Sequence, residues 1–237
     1  MTRAAYDDIA DWYESEFLAH QRRGGEAREF ADSIGIDRAL VDLLGPGTGT
    51  CLEVGCGTGV YAERVRALGR QAIGVDISGR MLRYAAERLP TAQGDATRLP
   101  FGSGAVDAVI GVMIHSDMPA FGEVVDEIGR VLRPGGVFVH VGVHPCFIGA
   151  FADRSEPTRS VIRPGYLDER WTPAVGPTRG GVGVSGQVRH RVGAAHYTLA
   201  TLLNTIARAG LQFVEAAEGG APTPTTFSVR ALKPASG

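Results

Sequence analysis

Lysine is nearly missing from this 237-residue chain: Lys233 is the only one, and arginine supplies the rest of the 24 basic side chains. That bias reads as the base composition of a GC-rich genome rather than as mechanism. There is also no excess of positive charge. The 26 acidic residues leave a net charge of −2, and no basic block occurs. This argues against a general nucleic-acid-binding surface, because such a surface needs phosphate-neutralising charge. Cysteine is scarce and odd in number, three in all, which argues against a disulfide scaffold. Cys51 and Cys56 straddle a strand-to-loop junction and Cys146 has no partner at ligand spacing, so no metal site is expected. No apolar run approaches the ~20 residues needed to cross a bilayer. The stretch Met1 to His20 is acidic and amphipathic, unlike a secretory signal or an Arg-rich transit peptide, and a cytoplasmic location is expected.

What remains is ordinary globular composition, 44% hydrophobic and 21% charged. A chain of this length buries roughly 70–75% of its unfolded surface in one core. Short apolar runs alternate with helical patterns, the signature of an α/β fold around a largely parallel sheet. Strands are expected at Thr50 to Val54, Gln71 to Val75, just before Gly94-Asp95, Val106 to Met113 and Val137 to Val143. The run at Val106 is continuously apolar, as for a strand buried on both faces. Helices are expected from Val60 to Leu68 and after Ser78 as N-cap, with Met81, Leu82, Ala85 and Leu89 on one face. Phe121, Val124, Val125, Ile128, Val131 and Leu132 form the clearest amphipathic stripe, and Pro134-Gly135-Gly136 is expected to stop that helix. Thr198 caps a last helix ending near Gly210. Leu211 to Ala216 and Thr226 to Leu232 follow as two closing strands, joined through Gly219-Gly220-Ala221-Pro222-Thr223-Pro224.

Four segments result: residues 1–45, helical, with Ile9, Trp12, Tyr13 and Phe17 on one side; a core at 46–144; an irregular insertion at 145–196 with Phe147, Phe151, Tyr166 and Trp171 among prolines, glycines and arginines; and the closing helix and strand pair at 197–237. An irregular stretch of that length inside one domain points to a pocket wall.

Leu52-Glu53-Val54-Gly55-Cys56-Gly57-Thr58-Gly59 follows the first strand and opens the first helix. Its glycines bring the backbone close to a ligand. The dinucleotide pattern G-x-G-x-x-G/A is not met, because Val60 stands where its third small residue packs and the glycine comes one position early, at Gly59. Glu53, directly before the loop, would repel a pyrophosphate and suits a cation. This counts against an NAD-dependent reductase. Asp76 ends the second strand about twenty residues on, where a carboxylate accepts both hydroxyls of a ribose, and Asp95 after the third strand accepts from an adenine amine. A diol, an amino purine and a positive charge together describe S-adenosylmethionine.

With these residues in place, the chain resembles the class I S-adenosylmethionine-dependent methyltransferases, in the small-molecule, methyltransferase type 11-like branch. The matching motifs are the glycine loop with Glu53; Gly74-Val75-Asp76-Ile77-Ser78 with Met81; Gly94-Asp95-Ala96 with Leu99-Pro100-Phe101; the strand Val106 to Met113; and Arg130-Val131-Leu132-Arg133-Pro134-Gly135-Gly136. They cover roughly residues 48–143, in the family's order. The resemblance implies a Rossmann-like seven-stranded sheet of order 3-2-1-4-5-7-6 with strand seven antiparallel, helices on both faces and an N-terminal helical lid. It implies that Gly55, Cys56, Gly57 and Gly59 pass the methionine part and ribose. Glu53 holds the amino group, Asp76 the ribose diol, and Ile77 and Met81 sandwich the adenine. Gly94, Asp95 and Ala96 meet the adenine edge, Met113, Ile114 and His115 line the floor, and Tyr6 and Tyr13 of the lid approach the methionine end.

Methyl transfer from a sulfonium is an in-line displacement in which positioning supplies much of the acceleration, with a base for an O or N acceptor. Candidate bases are His115 at the end of strand four, His144 after strand five, and His190 and His196 near the end of the insertion; Asp117 is a candidate to orient His115. Arg163, Arg170, Arg189 and Arg191 are candidates for an acidic acceptor. The expected partner is a small organic acceptor, in specialised metabolism, with neither nucleic acid nor membrane, and the chain a monomer or homodimer. The alternatives are an RNA or protein methyltransferase, disfavoured by the charge and by Met113-Ile114-His115-Ser116 where many base and glutamine N-methyltransferases carry Asn/Asp-Pro-Pro-Tyr/Phe, and a non-methylating binder of the same cofactor.

Overall fold

The apolar runs become strands and the amphipathic stripes become their covering helices. The computed structural model describes residues 4–18, 35–156, 159–174, 184–221 and 223–235. Its strands are β1 (Thr50–Val54), β2 (Gln71–Asp76), β3 (Thr91–Gln93), β4 (Val106–Val112), β5 (Leu132–Val143), β6 (Ala152–Glu156), β7 (Arg159–Ile162), β8 (Trp171–Thr172), β9 (Ala194–Ala195), β10 (Gln212–Gly219) and β11 (Thr226–Leu232). Its α-helices are α1 (Ala10–Trp12), α2 (Ile36–Leu44), α3 (Ala62–Ala67), α4 (Gly79–Ala85), α5 (Phe121–Val131), α6 (Val184–Val192) and α7 (Leu199–Arg208). Seven strands form one sheet of order β3-β2-β1-β4-β5-β11-β10. Its first five members are parallel, and β11 runs antiparallel to β5 from Thr226 opposite Val143 to Leu232 opposite Val137. This is the Rossmann-like arrangement expected, strand seven included.

Period-two alternation sends side chains to two cores. Leu52, Val54, Val109 and Phe138 join the α5 stripe, Leu202 and Ile206 on one face. Cys51, Ala108, Ile110, Val137, Val139 and Val141 join α2, α3 and α4 on the other. Each such fully buried aliphatic or aromatic side chain contributes roughly 1.5–3 kcal/mol. Two caps behave as expected: Ser78 Oγ accepts from the Met81 N–H at 3.1 Å and Thr198 Oγ1 from the Thr201 N–H at 3.1 Å.

Several boundaries move. Helix α5 ends at Val131, before the Pro-Gly-Gly run, because Leu132 already turns extended at φ −65°, ψ 135° and pairs with Val106. The ladder resumes at Ala108 opposite Val137, so Pro134-Gly135-Gly136 forms an excursion within β5. Arg133 Nε donates to Asp107 Oδ1 at 2.6 Å and pins it. Strand β10 starts at Gln212 and runs on to Gly219, into the stretch read as linker. The irregular insertion holds two small antiparallel pairs, β6 with β7 and β8 with β9, besides α6. Residues 19–34 of the expected N-terminal helices lie outside the described residues, as do 157–158 and 175–183 of the insertion and 222 of the linker.

The N-terminal run is a succession of helical turns, Ala5–Asp8, α1 and Tyr13–Phe17. Asp7, Asp11 and Glu14, spaced four and three apart, form an acidic stripe. Asp7 Oδ1 accepts from Ser78 Oγ at 2.7 Å, Asp11 pairs with Arg80 at 2.6 Å and Arg83 at 3.2 Å, and Glu14 pairs with Arg88 at 2.5 Å. The opposite face, Ile9 with Phe17, packs against Val188 and Val192 of α6.

Gly59 shows how tightly the first loop is seated. It has φ 73°, and a Cβ there would fall 2.4 Å from Leu89 Cδ2 and 3.3 Å from Ala85 Cα. Gly57, at φ 53°, would meet only Met81 Cε at 3.9 Å. Gly59→Val is therefore expected to destabilise by roughly 2–4 kcal/mol, from overpacking added to backbone strain. Gly57→Ala is expected to cost only about 1 kcal/mol, from strain alone. Urea midpoints at unchanged m-value test the contrast.

Candidate functional site

The site lies where β1, β2, β3 and β4 end. The loop Gly55 to Gly59 is lashed to β2: the N–H groups of Gly55 and Cys56 both donate to the Val75 carbonyl, at 2.8 and 3.0 Å. Asp76 completes the attachment. Its Oδ2 accepts from the Gly57 N–H at 2.8 Å and its Oδ1 from the Ser78 N–H at 2.8 Å. A carboxylate has about four acceptor positions, so Asp76 holds the loop and keeps capacity for a ligand diol. Its pKa is raised above the ordinary value, by burial foremost.

Glu53 is 3% exposed, and its Oε2 has no hydrogen-bond partner. Burial, and then the charge of Asp76, push its pKa up to about 8. A buried carboxyl with an idle oxygen calls for a donor or a cation. Met81 is buried behind the loop, whereas Ile77 is 49% exposed at the rim. Asp95 Oδ1 accepts from the N–H and Oγ1 of Thr97, at 2.9 and 2.8 Å, and so caps the turn that begins at Ala96. Gly94 lies against Pro100 and Val75.

At the end of β4 the chain reverses through Met113, which has φ 60° and is the one non-glycine with positive φ among the described residues. The reversal folds Ile114 back so that its Cγ2 would lie 2.8 Å from a Cβ on Gly55. It also buries His115, whose Nδ1 is 2.8 Å from His140 Nε2. The pKa of His115 is held well below the ordinary value, by burial first and then by the charges of His140, Arg189 and His196. His140 escaped the sequence analysis. The signal was a polar residue two positions after Phe138, on the core side of a buried strand.

Asp117, a candidate to orient His115, does something else. It pairs with Arg189 of α6 and accepts from Tyr6 OH at 3.0 Å, while Tyr6 meets Tyr13 edge-on at 6.0 Å. Three chain segments meet there, and Arg189 is committed to this pair. His144 accepts from the Cys146 N–H at Nδ1, 3.2 Å away, so its Nε2 donates to Glu218 at 2.7 Å. Both nitrogens are thereby used. His196 Nε2 donates to the Tyr166 carbonyl at 2.7 Å, and its ring sits 4.9 Å from that of Phe151. Among the other candidates, Arg163 pairs with Asp153 at 2.6 Å and Arg191 lies 4.2 Å from the centre of the Trp12 ring. No group of three His, Cys, Asp or Glu among the described residues is placed to hold a metal ion.

Residues 52–140 match the family model described as a methyltransferase domain. That core, with its strand order, is similar to the class I S-adenosylmethionine-dependent methyltransferases. Among curated relatives, the fatty-acid O-methyltransferase of Mycolicibacterium smegmatis is 37% identical over 101 residues, covering 40% of this chain and 37% of the relative. The chain spans under half the length of the curated relatives it matches, 29% to 40% for the first four. In fold, it superposes on an S-adenosylmethionine-dependent methyltransferase from Mesorhizobium loti with a TM-score of 0.64 at 21% identity, over 83% of this chain and 95% of that one. It superposes on the [4+2]-cyclase SpnF with a TM-score of 0.66 at 18% identity, over 100% and 98%.

Glu53 gives a measurable signature. Between the ordinary glutamate value of 4.5 and about 8, the folded chain holds a proton that the unfolded chain has released. Stability from this group is therefore full below the lower value and lost as pH rises through the upper one. Glu53→Gln is expected to keep on the order of 3 kcal/mol that the wild type loses between pH 5 and pH 9. Thermal melts of the ligand-free protein across that range read the difference.

Proposed function

We propose that this chain is a methyltransferase that moves a methyl group from S-adenosylmethionine to an O, N or C atom of a small organic acceptor, in specialised metabolism, and acts in the cytoplasm as a monomer or homodimer. The observation that carries the reading is the idle oxygen of buried Glu53, set beside Asp76 at the glycine loop. Two adjacent carboxyls there disfavour a pyrophosphate and favour a cation that also carries hydroxyls. No helix among the described residues is long and apolar enough to cross a membrane, and the net charge of −2 speaks against an RNA substrate.

Mechanism. When bound, the cofactor supplies an activated methyl on a positively charged sulfur. The chain's own residues do the rest. Asp76 accepts from the ribose hydroxyls with the capacity its backbone bonds leave over. Glu53 gives up its proton and offsets the positive charge of the methionine end. Gly94, Asp95 and Ala96 would hold the adenine edge, and Ile77 and Met81 its faces. Tyr6 and Tyr13 close the methionine end and exclude water. His115 takes the acceptor's proton, and the insertion forms the acceptor wall. Most of the acceleration comes from holding the acceptor in line. The fold alone also suits a non-methylating protein, since one neighbour bears a cyclase name.

Asp76→Ala is expected to weaken S-adenosylmethionine binding at least ~10-fold, from loss of charge-assisted hydrogen bonds. Unchanged affinity by calorimetry would falsify the site assignment. Binding at pH 7 is expected to release a proton from Glu53, because a cation lowers its pKa from about 8. Calorimetry in buffers of different ionisation enthalpy detects that release, and Glu53→Gln removes it. Formation of S-adenosylhomocysteine with a screened acceptor separates a methyltransferase from a mere binder.

A further inference from the structure

The inner partner of His115 carries an inference that rests on the reading of His115 as the base. His140 stands on β5, facing the same core as Phe138, and its ring bridges two groups. Its Nδ1 lies 3.1 Å from the Gly111 carbonyl and its Nε2 lies 2.8 Å from His115 Nδ1. A carbonyl only accepts, so His140 Nδ1 carries the proton and donates. The ring is buried beneath Phe121, with centroids 5.4 Å apart, and burial lowers its pKa to about 4, so at neutral pH it is uncharged. Its Nε2 is then a bare acceptor, and His115 Nδ1 must donate to it.

We infer that His140 is a positioning residue that fixes His115 in the tautomer with its proton on Nδ1, leaving Nε2 as the lone pair that receives the acceptor's proton. Among the described residues the hydrogen bond of the His115 ring runs through Nδ1 and leaves Nε2 for such a role. In the transfer, the proton of the acceptor O–H or N–H passes to Nε2. The acceptor's electron pair forms the bond to the methyl carbon, and the carbon–sulfur bond breaks onto sulfur. The cofactor loses one positive charge and His115 gains it. Nδ1–H keeps its bond to His140 throughout, so the ring stays oriented while charged.

The test reads the ring nitrogens directly and needs no acceptor. Full-length protein labelled with ¹⁵N-histidine is examined at pH 7, alone and with S-adenosylhomocysteine, and the His115 signals are assigned by their absence in His115→Gln. The wild type is expected to show His115 Nδ1 protonated and Nε2 bare. His140→Phe, which keeps size and burial but offers no acceptor, is expected to lose that exclusive pattern, and His140→Gln, whose amide oxygen replaces the acceptor, to recover it. A wild-type His115 protonated at Nε2 overturns the inference, even if the phenylalanine variant fails to fold. So does a folded His140→Phe protein with an unchanged pattern. Failure of the wild type to bind S-adenosylmethionine sinks the methyltransferase reading instead and leaves the tautomer result standing.

Discussion

One carboxylate holds the site together. Asp76 accepts from the glycine loop through Gly57 and from the start of α4 through Ser78. These two bonds set the distance between loop and strand end, and the Val75 carbonyl doubles the attachment. Because Asp76 is fixed by backbone donors on both oxygens, its spare acceptor positions point where the backbone dictates. Glu53, one strand over, feels that charge and stays protonated at neutral pH. The two acids are thus unequal: one fastens the loop through a backbone donor on each oxygen, the other is held neutral beside it. A cation placed between them would bring the second into its charged form.

The same economy of contacts governs the N-terminal segment. Its acidic stripe docks on Ser78, Arg80, Arg83, Tyr84 and Arg88, around the helix that follows Asp76. Exposed pairs of this sort contribute up to about 1 kcal/mol each, so they guide the segment more than they weld it. The firmer tie is inside, where Asp117 takes both Arg189 and Tyr6. That joint links the end of β4, the insertion and the N-terminus.

The sheet was legible because each strand had its own run of apolar residues and each covering helix its own stripe. Leu52 and Val54 alternate with Cys51 to opposite cores, and the α5 stripe needed no tertiary information. The glycine loop and its acids were legible because their chemistry is local. Pairings made over long separations were not. Nothing around Asp117 says that its partner is Arg189, 72 residues away, rather than His115 two positions back. His144 looked like a free base until Glu218, 74 residues on, took its Nε2. The end of α5 moved for a related reason: a ladder bond to Val106 is satisfied only if Leu132 is already extended, and no local sequence rule contains that bond.

Met113 brings these threads to one point. A left-handed methionine costs roughly 1–2 kcal/mol, and it persists because its neighbours over-determine it: its N–H donates to the Val141 carbonyl at 2.6 Å and its carbonyl accepts from Ser116 Oγ at 3.1 Å. Were the strand to continue straight, Ile114 would leave the glycine loop and His115 would leave His140. The strain therefore converts the end of β4 into a turn that packs one side chain on the glycine loop and sets the next against the inner core. A substitution at Met113 acts on both at once, whereas one at His140 acts on His115 and leaves the packing of Ile114 on the glycine loop in place. The two positions separate what the turn does for the glycine loop from what it does for His115.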